Sequence, residues 1–275
     1  MSDIIQGIFL GLIQGVTEFL PISSTAHLRV VPAVLGWPDP GAAFTAVTQL
    51  GTLLAVLVFF WNDLWRIGRA FFSGLTDART RASADYRLAW YLVAGTIPIG
   101  VAGVLFEKEI ESSLRSLWVI CAALAGLALL LLLAEVFGRR RRELNEIGLW
   151  DAIFIGLAQA VALVPGSSRS GVTITAGLAV GLKREAAARF SFLLSVPAVA
   201  ASGIFEGIKL LRLEQVDEGW LKLFLATAVA AVSGYLAIAW LINLLKHHST
   251  WAFIAYRILL AAVISALLLY GILSP

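Results

Sequence analysis

The sequence predicts an all-α protein that crosses a membrane several times and contains two related halves of opposite orientation. Hydrophobic residues make up 59% of the 275 residues and charged residues only 14%, and the mean hydropathy is +0.87. Soluble domains carry about 25% charged residues, so this composition excludes that class. Two Ser-rich segments interrupt apolar stretches at positions roughly 145 residues apart, which indicates an internal repeat.

Six apolar runs are long enough to cross a bilayer, which takes about 20 residues of helix. They are predicted at 43–61, 88–106, 117–137, 190–208, 221–245 and 251–273. The single cysteine, Cys121, lies inside the third run, where we expect a small buried core residue. One cysteine also excludes a disulfide within the chain.

Basic residues cluster in four connections, at 62–87, 139–142, 183–189 and 246–248. The positive-inside rule places these connections in the cytoplasm. The loops 107–116 and 209–220 mix acids with bases and fit the outer side. The net charge of +3 therefore reports topology, and we expect the lipid bilayer as a partner and no nucleic acid.

This topology requires that residues 4–35 and 150–182 each enter and leave the membrane on one side. Each is then a re-entrant helical hairpin, the first dipping in from outside and the second from the cytoplasm. With three spans per half, residues 1–142 and 143–275 form an inverted repeat whose hairpin tips meet near the midplane. Interrupted apolar segments at corresponding positions of two repeats are the best sequence pointer to a binding site.

Glycine and proline support the hairpin interpretation. Gly7, Gly11 and Gly15 recur every four residues and give one smooth helix face for close packing, and Gly156 with Ala160 repeats this spacing. Pro21 and Pro165 end the two helices at matching places. An ordinary glycine-containing membrane helix is the alternative for the glycine pattern taken alone.

The first break carries groups that suit acid–base and nucleophilic chemistry. Gln14 and Glu18 are four residues apart and share one helix face, and a carboxylate inside a membrane is costly and points to function. A shallow Glu18 that faces water is the alternative. The turn that follows contains Ser23, Ser24, Thr25 and His27. His27 lies close enough in sequence to take a proton from Ser24, although the serines also suit helix capping.

The second break, PGSSRSG at 165–171, predicts an anion site. Backbone N–H groups at a turn that leads into a helix can form an anion nest. Arg169 adds a planar fork of donors that matches phosphate oxygens and stays protonated when buried. We expect phosphate contacts from the neighbours of Arg169, which are Gly166, Ser167, Ser168 and Ser170. A snorkelling arginine is the alternative.

Together the two motifs resemble those of the bacterial undecaprenyl-diphosphate phosphatase family of the bacitracin-resistance type. That family has a Glu/Gln-x-x-x-Glu segment running into Pro-x-Ser-Ser-x-x-His, and a Pro-Gly-x-Ser-Arg-Ser-Gly motif in the other half. Here these stand at Gln14–Glu18, at Pro21–His27 and at Pro165–Gly171. The length and the two-motif layout agree over essentially the whole chain.

The resemblance implies hydrolysis of undecaprenyl diphosphate to undecaprenyl phosphate and inorganic phosphate, which recycles the lipid carrier of cell-wall synthesis. It implies the inner membrane, a site open to the periplasmic side, and a divalent cation, Mg²⁺ or Ca²⁺. Glu18 would be the essential acid, Gln14 would take the variable position, and Ser24, Thr25 and His27 would belong to the catalytic loop. Ser168 and Arg169 would contact phosphate.

Because this chain has Gln14 where the family also allows glutamate, a metal cage made by the protein alone is implausible. The cation would be held largely by the diphosphate, with Glu18 as its protein ligand. The mechanism we expect has Arg169 holding the terminal phosphate while Ser24 attacks and His27 manages the proton. Water activated by His27 is the alternative to a covalent Ser24 intermediate.

Three other classes compete with the phosphatase. A lipid flippase or ion transporter shares the inverted-repeat architecture, but it has no need of a serine, a histidine and an arginine in one site. The acid-phosphatase type of lipid phosphatase has a Lys-bearing motif that is absent here, and no His follows Arg169 before His247. A purely structural protein would not place Glu18, His27 and Arg169 at two broken helices. Glu135 and Arg257 are interpreted as snorkelling side chains. The oligomeric state is left open, with a homodimer as one option.

Overall fold

The computed structural model describes residues 3–106, 108–109, 114, 116–212 and 219–274. These residues form α-helices and no strand, apart from an isolated bridge between Arg142 and Leu182, so the predicted all-α fold is confirmed. The helices are α1 (Asp3–Phe19), α2 (Ser24–Leu35), α3 (Gly41–Phe59), α4 (Trp61–Thr76), α5 (Ala78–Arg81), α6 (Ala84–Leu105), α7 (Leu117–Phe137), α8 (Leu149–Val161), α9 (Arg169–Ala179), α10 (Arg184–Arg212), α11 (Trp220–His247) and α12 (Trp251–Leu269).

Five helices of the described part are long and apolar enough to cross a membrane. They are α6, α7, α10, α11 and α12. The remaining predicted span, 43–61, lies on α3, which passes the same test together with α4 as a pair bent by 80°. The chain is therefore a multi-pass membrane protein, as the sequence predicts.

The basic connection 62–87 differs from the prediction because it contains α4 and α5 rather than a loop. Helix α4 exposes Trp61, Trp65 and Phe72 and buries Ile67, which is the pattern of an amphipathic helix at a membrane surface. The segment was predicted to be a loop because it is rich in arginine. Arginine is equally compatible with the polar face of an amphipathic helix. Of the predicted outer loops, 107–116 and 209–220, residues 107, 110–113, 115 and 213–218 lie outside the described residues, and residues 209–212 belong to α10.

The two predicted hairpins correspond to the helix pairs α1–α2 and α8–α9. Their helices are short, with 17, 12, 13 and 11 residues, and among the described residues none of them passes the test for a span. The second pair is followed by α10, α11 and α12, and the first by α3, α6 and α7 with α4 and α5 inserted between α3 and α6. Apart from this insertion the order of elements repeats. The boundary between 142 and 143 stays a prediction.

Each hairpin packs on a helix of the other half. Helix α1 packs along α11, and α8 packs along α6, so the second span of each half receives the opposite hairpin. A Cβ on Gly11 would lie 2.2 Å from the Ala226 oxygen, and one on Gly156 would lie 2.3 Å from the Gly95 oxygen. The predicted glycine face is thus confirmed as a close helix contact.

Glu135 corrects an expectation from the sequence, because its side chain does not snorkel. It is buried at the end of α7, where its carboxylate accepts hydrogen bonds from Arg140 Nη1 at 2.7 Å, from Thr250 Oγ1 at 2.7 Å and from Arg184. A buried carboxylate needs such partners, and here they tie the ends of three helices together. Cys121 is buried, as predicted.

Candidate active site

The two breaks meet through an ion pair between Glu18 and Arg169. Glu18 lies in the last turn of α1 and Arg169 is the first residue of α9. Arg169 Nη2 donates to Glu18 Oε1 at 2.5 Å, and both side chains are largely shielded from solvent. The structure therefore joins in one place the carboxylate and the guanidinium that the sequence assigned to separate motifs.

The second carboxylate oxygen of Glu18 receives two further donors. Ser24 Oγ donates to Glu18 Oε2 at 2.6 Å, and Gln14 Nε2 donates to the same oxygen at 2.8 Å. The predicted common face of Gln14 and Glu18 is present. A carboxylate at this distance from a serine hydroxyl is placed to accept its proton.

The two Ser-rich turns have the same local geometry. Ser23 caps α2 with φ 73°, and Ser168 caps α9 with φ 68°. Each Oγ accepts a backbone hydrogen bond at the helix start, from the Ala26 N–H at 3.3 Å and from the Gly171 N–H at 3.1 Å. Left-handed backbone is uncommon for serine and is retained where the surroundings enforce it. Capping and site formation therefore coincide at both turns.

A cavity of about 570 Å³ opens onto these turns. That size is within the usual range for small-molecule sites. The predicted site residues that line it are Glu18, Ser23, Ser24, Thr25, Gly166, Ser168 and Arg169. Its walls are largely apolar and include Ile99, Val104, Ile120, Leu163 and Val164. The cavity thus joins a polar, charged end to a surface suited to a lipid chain.

Four predicted site residues do not line the cavity: Gln14, His27, Ser167 and Ser170. Gln14 is fully buried behind Glu18. Ser170 Oγ donates to the Leu20 carbonyl at 3.0 Å, so its hydroxyl holds α9 against the end of α1. The Ser167 hydroxyl is buried without a partner among the described residues. Gln14, Ser167 and Ser170 therefore lie behind the cavity wall, next to the two turns.

His27 faces away from Ser24, contrary to the expected proton transfer. Its Nδ1 lies 2.7 Å from the Ser23 carbonyl oxygen, which can only accept, so Nδ1 carries the proton. Its Nε2 lies 2.6 Å from the Tyr256 hydroxyl, and the two rings stack at 5.7 Å. His27 is only three residues from Ser24 in sequence, which suggested contact between their side chains. In the structure the imidazole ring contacts the Ser23 carbonyl of its own turn and Tyr256 of α12 instead.

The cavity also contains a cation that the sequence analysis did not single out. Arg29 lies one turn after Thr25 on α2 and lines the same cavity. It pairs with Asp39 at 3.6 Å, while its Nε is buried without a partner among the described residues. Its position four residues from Thr25 was the available signal, since such residues share a helix face.

The oxygen ligands around Glu18 suit a divalent cation only in part. No group of three or more His, Cys, Asp or Glu side chains within the described residues could hold one. Glu18 offers carboxylate oxygens, and the buried Oε1 of Gln14 has no hydrogen-bond partner within the described part of the chain. Carboxylate and amide oxygens suit Mg²⁺ or Ca²⁺, but most ligands of such an ion would have to come from a bound substrate.

Comparison with known proteins identifies the family. The family model described as "Bacitracin resistance protein BacA" matches residues 7–263, which include both breaks. The chain belongs to this family. The resemblance found in the two motifs is therefore confirmed over nearly the whole chain.

Curated relatives match this chain along more than nine-tenths of their own length. A protein named undecaprenyl-diphosphatase from Chloroherpeton thalassium is 52% identical, with 98% of both chains covered. One of the same name from Chlorobaculum tepidum is 50% identical, covering 99% of this chain and 100% of the relative. A third, from Myxococcus xanthus, is 48% identical over 99% and 92% of the two chains.

In this member of the bacitracin-resistance family, Arg257 is the second side chain that does not snorkel as expected. It is 1% exposed and donates to backbone carbonyls of α7 and of both turns. The available signal was an arginine within the apolar run 251–273, where a charged residue is costly. Its closeness in sequence to Trp251 hid that signal.

Proposed function

We propose that this chain hydrolyses undecaprenyl diphosphate to undecaprenyl phosphate and inorganic phosphate. The observation that carries the proposal is the contact of Glu18 with both Ser24 and Arg169 at the polar end of an apolar cavity. The full-length similarity to proteins named undecaprenyl-diphosphatase supports the same substrate.

Arg169 is the residue that holds the terminal phosphate. A guanidinium binds two phosphate oxygens with parallel N–H bonds, and this one is presented at the start of α9, where helix N–H groups also favour anions. Arg29, on the same cavity wall, supplies a second cation for the phosphate nearer the lipid. The apolar wall accommodates the first part of the prenyl chain, and the rest extends into the bilayer.

Ser24 is the nucleophile and Glu18 is its base. The Ser24 proton passes to Glu18 Oε2 as Oγ forms a bond to the terminal phosphorus, and the bond from that phosphorus to the bridging oxygen breaks. Undecaprenyl phosphate leaves. It takes with it the proton that Glu18 received, so Glu18 is ionised again. Water then attacks the phosphoserine and gives one proton to Glu18, which passes it to Ser24 Oγ as the bond from phosphorus to Oγ breaks and inorganic phosphate departs. A divalent cation held by the diphosphate and Glu18 would neutralise developing charge.

His27 takes a different part from the one expected from sequence. Through the Ser23 carbonyl and the Tyr256 hydroxyl it fixes the first turn, so that Ser24 points at Glu18. Direct attack by water with Glu18 as base is the alternative to the covalent step.

The site is proposed to open to the periplasmic side of the inner membrane. The four basic connections support a cytoplasmic position for the opposite face, by the positive-inside rule.

The decisive experiment measures phosphate release from a C55 prenyl diphosphate by the detergent-purified protein, with and without a chelator. We expect release by the wild type and a loss of about 100-fold or more in Arg169→Ala. Arg69→Ala, on the exposed face of α4, is the matched control and should retain activity. No release by a folded wild type would contradict the proposal and favour a lipid or ion transporter.

The covalent step has its own test. Ser24→Ala should abolish a phosphoserine trapped by acid quench and reduce turnover at least about 100-fold. Ser202→Ala is the matched control, because Ser202 lines the same cavity but donates to its own helix at Val199. Near-wild-type turnover in Ser24→Ala would leave water as the attacking group.

A further inference from the structure

Arg257 is a buried cation on α12 that contacts both Ser-rich turns. Its Nη1 donates to the Pro21 carbonyl at 3.1 Å, in the first break. Its Nη2 donates to the carbonyls of Gly166 at 3.2 Å and Ser167 at 3.1 Å, in the second break. One planar group thus bonds the backbone of two segments that lie about half the chain apart.

The guanidinium is also anchored to α7. Arg257 Nε donates to the Leu124 carbonyl at 3.2 Å, and Nη2 approaches the Ala123 carbonyl at 3.3 Å. No carboxylate of the described residues pairs with it, so its charge is met by carbonyl dipoles alone. A buried, unpaired charge is costly and is usually retained for function. At 1% exposure it does not reach the membrane surface.

Gly171 provides the space that this arrangement needs. A Cβ on Gly171 would lie 2.8 Å from Arg257 Nη1, which is too close for an unshifted guanidinium. The same residue donates its N–H to the Ser168 cap. The absence of a side chain at 171 therefore lets the cap of α9 and the arginine of α12 approach each other.

We propose that Arg257 is a positioning residue that holds the two turns at the spacing at which Ser24 and Arg169 reach the same phosphate. The inference rests on the proposed function and adds a residue outside both motifs to it. Arg257 does not line the cavity, so it acts through the turns and not by contact with substrate. A fork that spans two backbones cannot be replaced by the single ammonium of lysine.

The test compares Arg257→Lys with wild type by amide hydrogen exchange and by steady-state kinetics. Exchange protection should fall at both turns, residues 20–24 and 164–168, together. The kcat should fall about 10-fold to 100-fold with little change in KM, because small misplacement of reacting groups costs rate more than binding. Added guanidinium ion should restore part of the kcat of Arg257→Gly.

The matched control is Arg184→Lys, which disturbs a half-buried arginine that pairs with the buried Glu135 and does not contact the turns. Glu135 lies eleven residues beyond Leu124, about 16 Å along α7. This variant should lower thermal stability while leaving the protection of the turns and kcat unchanged.

If Arg257→Lys does not fold, Gly171→Ala replaces it and keeps the charge; its Cβ would lie 2.8 Å from Arg257 Nη1 and 3.0 Å from Ser168 Cβ. Because the Ser168 contact concerns the second turn alone, only a loss of protection at both turns counts as displacement of the guanidinium. Unchanged protection at both turns and a kcat within twofold of wild type would overturn the proposal. Exchange confined to one turn, or guanidinium rescue that fails while folding is intact, would also overturn it. An inactive wild type would contradict the proposed function, whereas the exchange pattern would still decide whether Arg257 holds the turns.

Discussion

Arg169 and Glu18 form an ion pair across 151 residues of sequence, joining the start of α9 to the last turn of α1. Each residue alone would be an expensive charge inside an apolar protein. The pair forms only when the two hairpins are docked, so the folded arrangement of the halves and the assembly of the site are the same event. In the proposed mechanism, a phosphate bound to Arg169 would replace the Glu18 contact, while Glu18 Oε2 keeps its hydrogen bond from Ser24.

Glu18→Gln should reduce kcat by about 100-fold or more, because the amide cannot take a proton from Ser24. Phosphate release from the prenyl diphosphate measures the effect. Glu135→Gln serves as the control, since it alters another buried carboxylate that contacts Arg140 and Thr250. That control should lose stability and keep its turnover. A Glu18→Gln variant with more than a tenth of wild-type kcat would show that Glu18 is not the base.

Arg29→Gln should raise KM several-fold and leave kcat within about twofold, because a contact made equally before and during reaction affects binding alone. The prenyl monophosphate product can be used as a competitive inhibitor. Its inhibition constant should rise in Arg29→Gln together with KM. Asp39→Asn removes the partner of Arg29 and should not raise KM. An unchanged KM in Arg29→Gln would mean that the cation only joins α2 to the segment before α3.

Tyr256→Phe and His27→Gln should be energetically coupled, because the Tyr256 hydroxyl lies 2.6 Å from His27 Nε2. Each single change is expected to lower the free energy of unfolding by about 1 kcal/mol. The double variant should lose less than the sum of the two, measured by chemical unfolding in detergent. Strict additivity would contradict a hydrogen bond between these side chains.

Gly15→Ala should destabilise the protein by about 1–3 kcal/mol, because its Cβ would lie 2.0 Å from Ser233 Oγ on α11. Thermal unfolding in detergent measures the loss. Gly126→Ala is the matched control, since nothing lies within 4 Å of a Cβ at that position of α7. Equal melting temperatures for the two variants would contradict the close α1–α11 contact.

The sequence determined the features that depend on local composition. Hydropathy alone located the spanning helices, because burial in lipid requires long apolar runs whatever their neighbours. The two Ser-rich segments marked where the next helices begin, since Ser23 and Ser168 cap α2 and α9. Pro21 and Pro165 lie two and four residues beyond the ends of α1 and α8, so they marked the breaks but not the last helical residues. Glu18, Ser24 and Arg169 were recognisable because charged or nucleophilic groups are rare in such surroundings.

Only the tertiary structure decided which of these groups touch. The direction of the His27 ring toward Tyr256, the burial of Arg257 and the pairing of Glu135 with Arg184 all depend on contacts between distant segments. A sequence gives the distance of a charged side chain from the end of its helix, and that distance suggested snorkelling for Glu135 and Arg257. The packing of the helices decides whether carbonyls or arginines of other segments lie close enough to pair with it. For Glu135 and Arg257 they do, so both side chains are buried and do not snorkel.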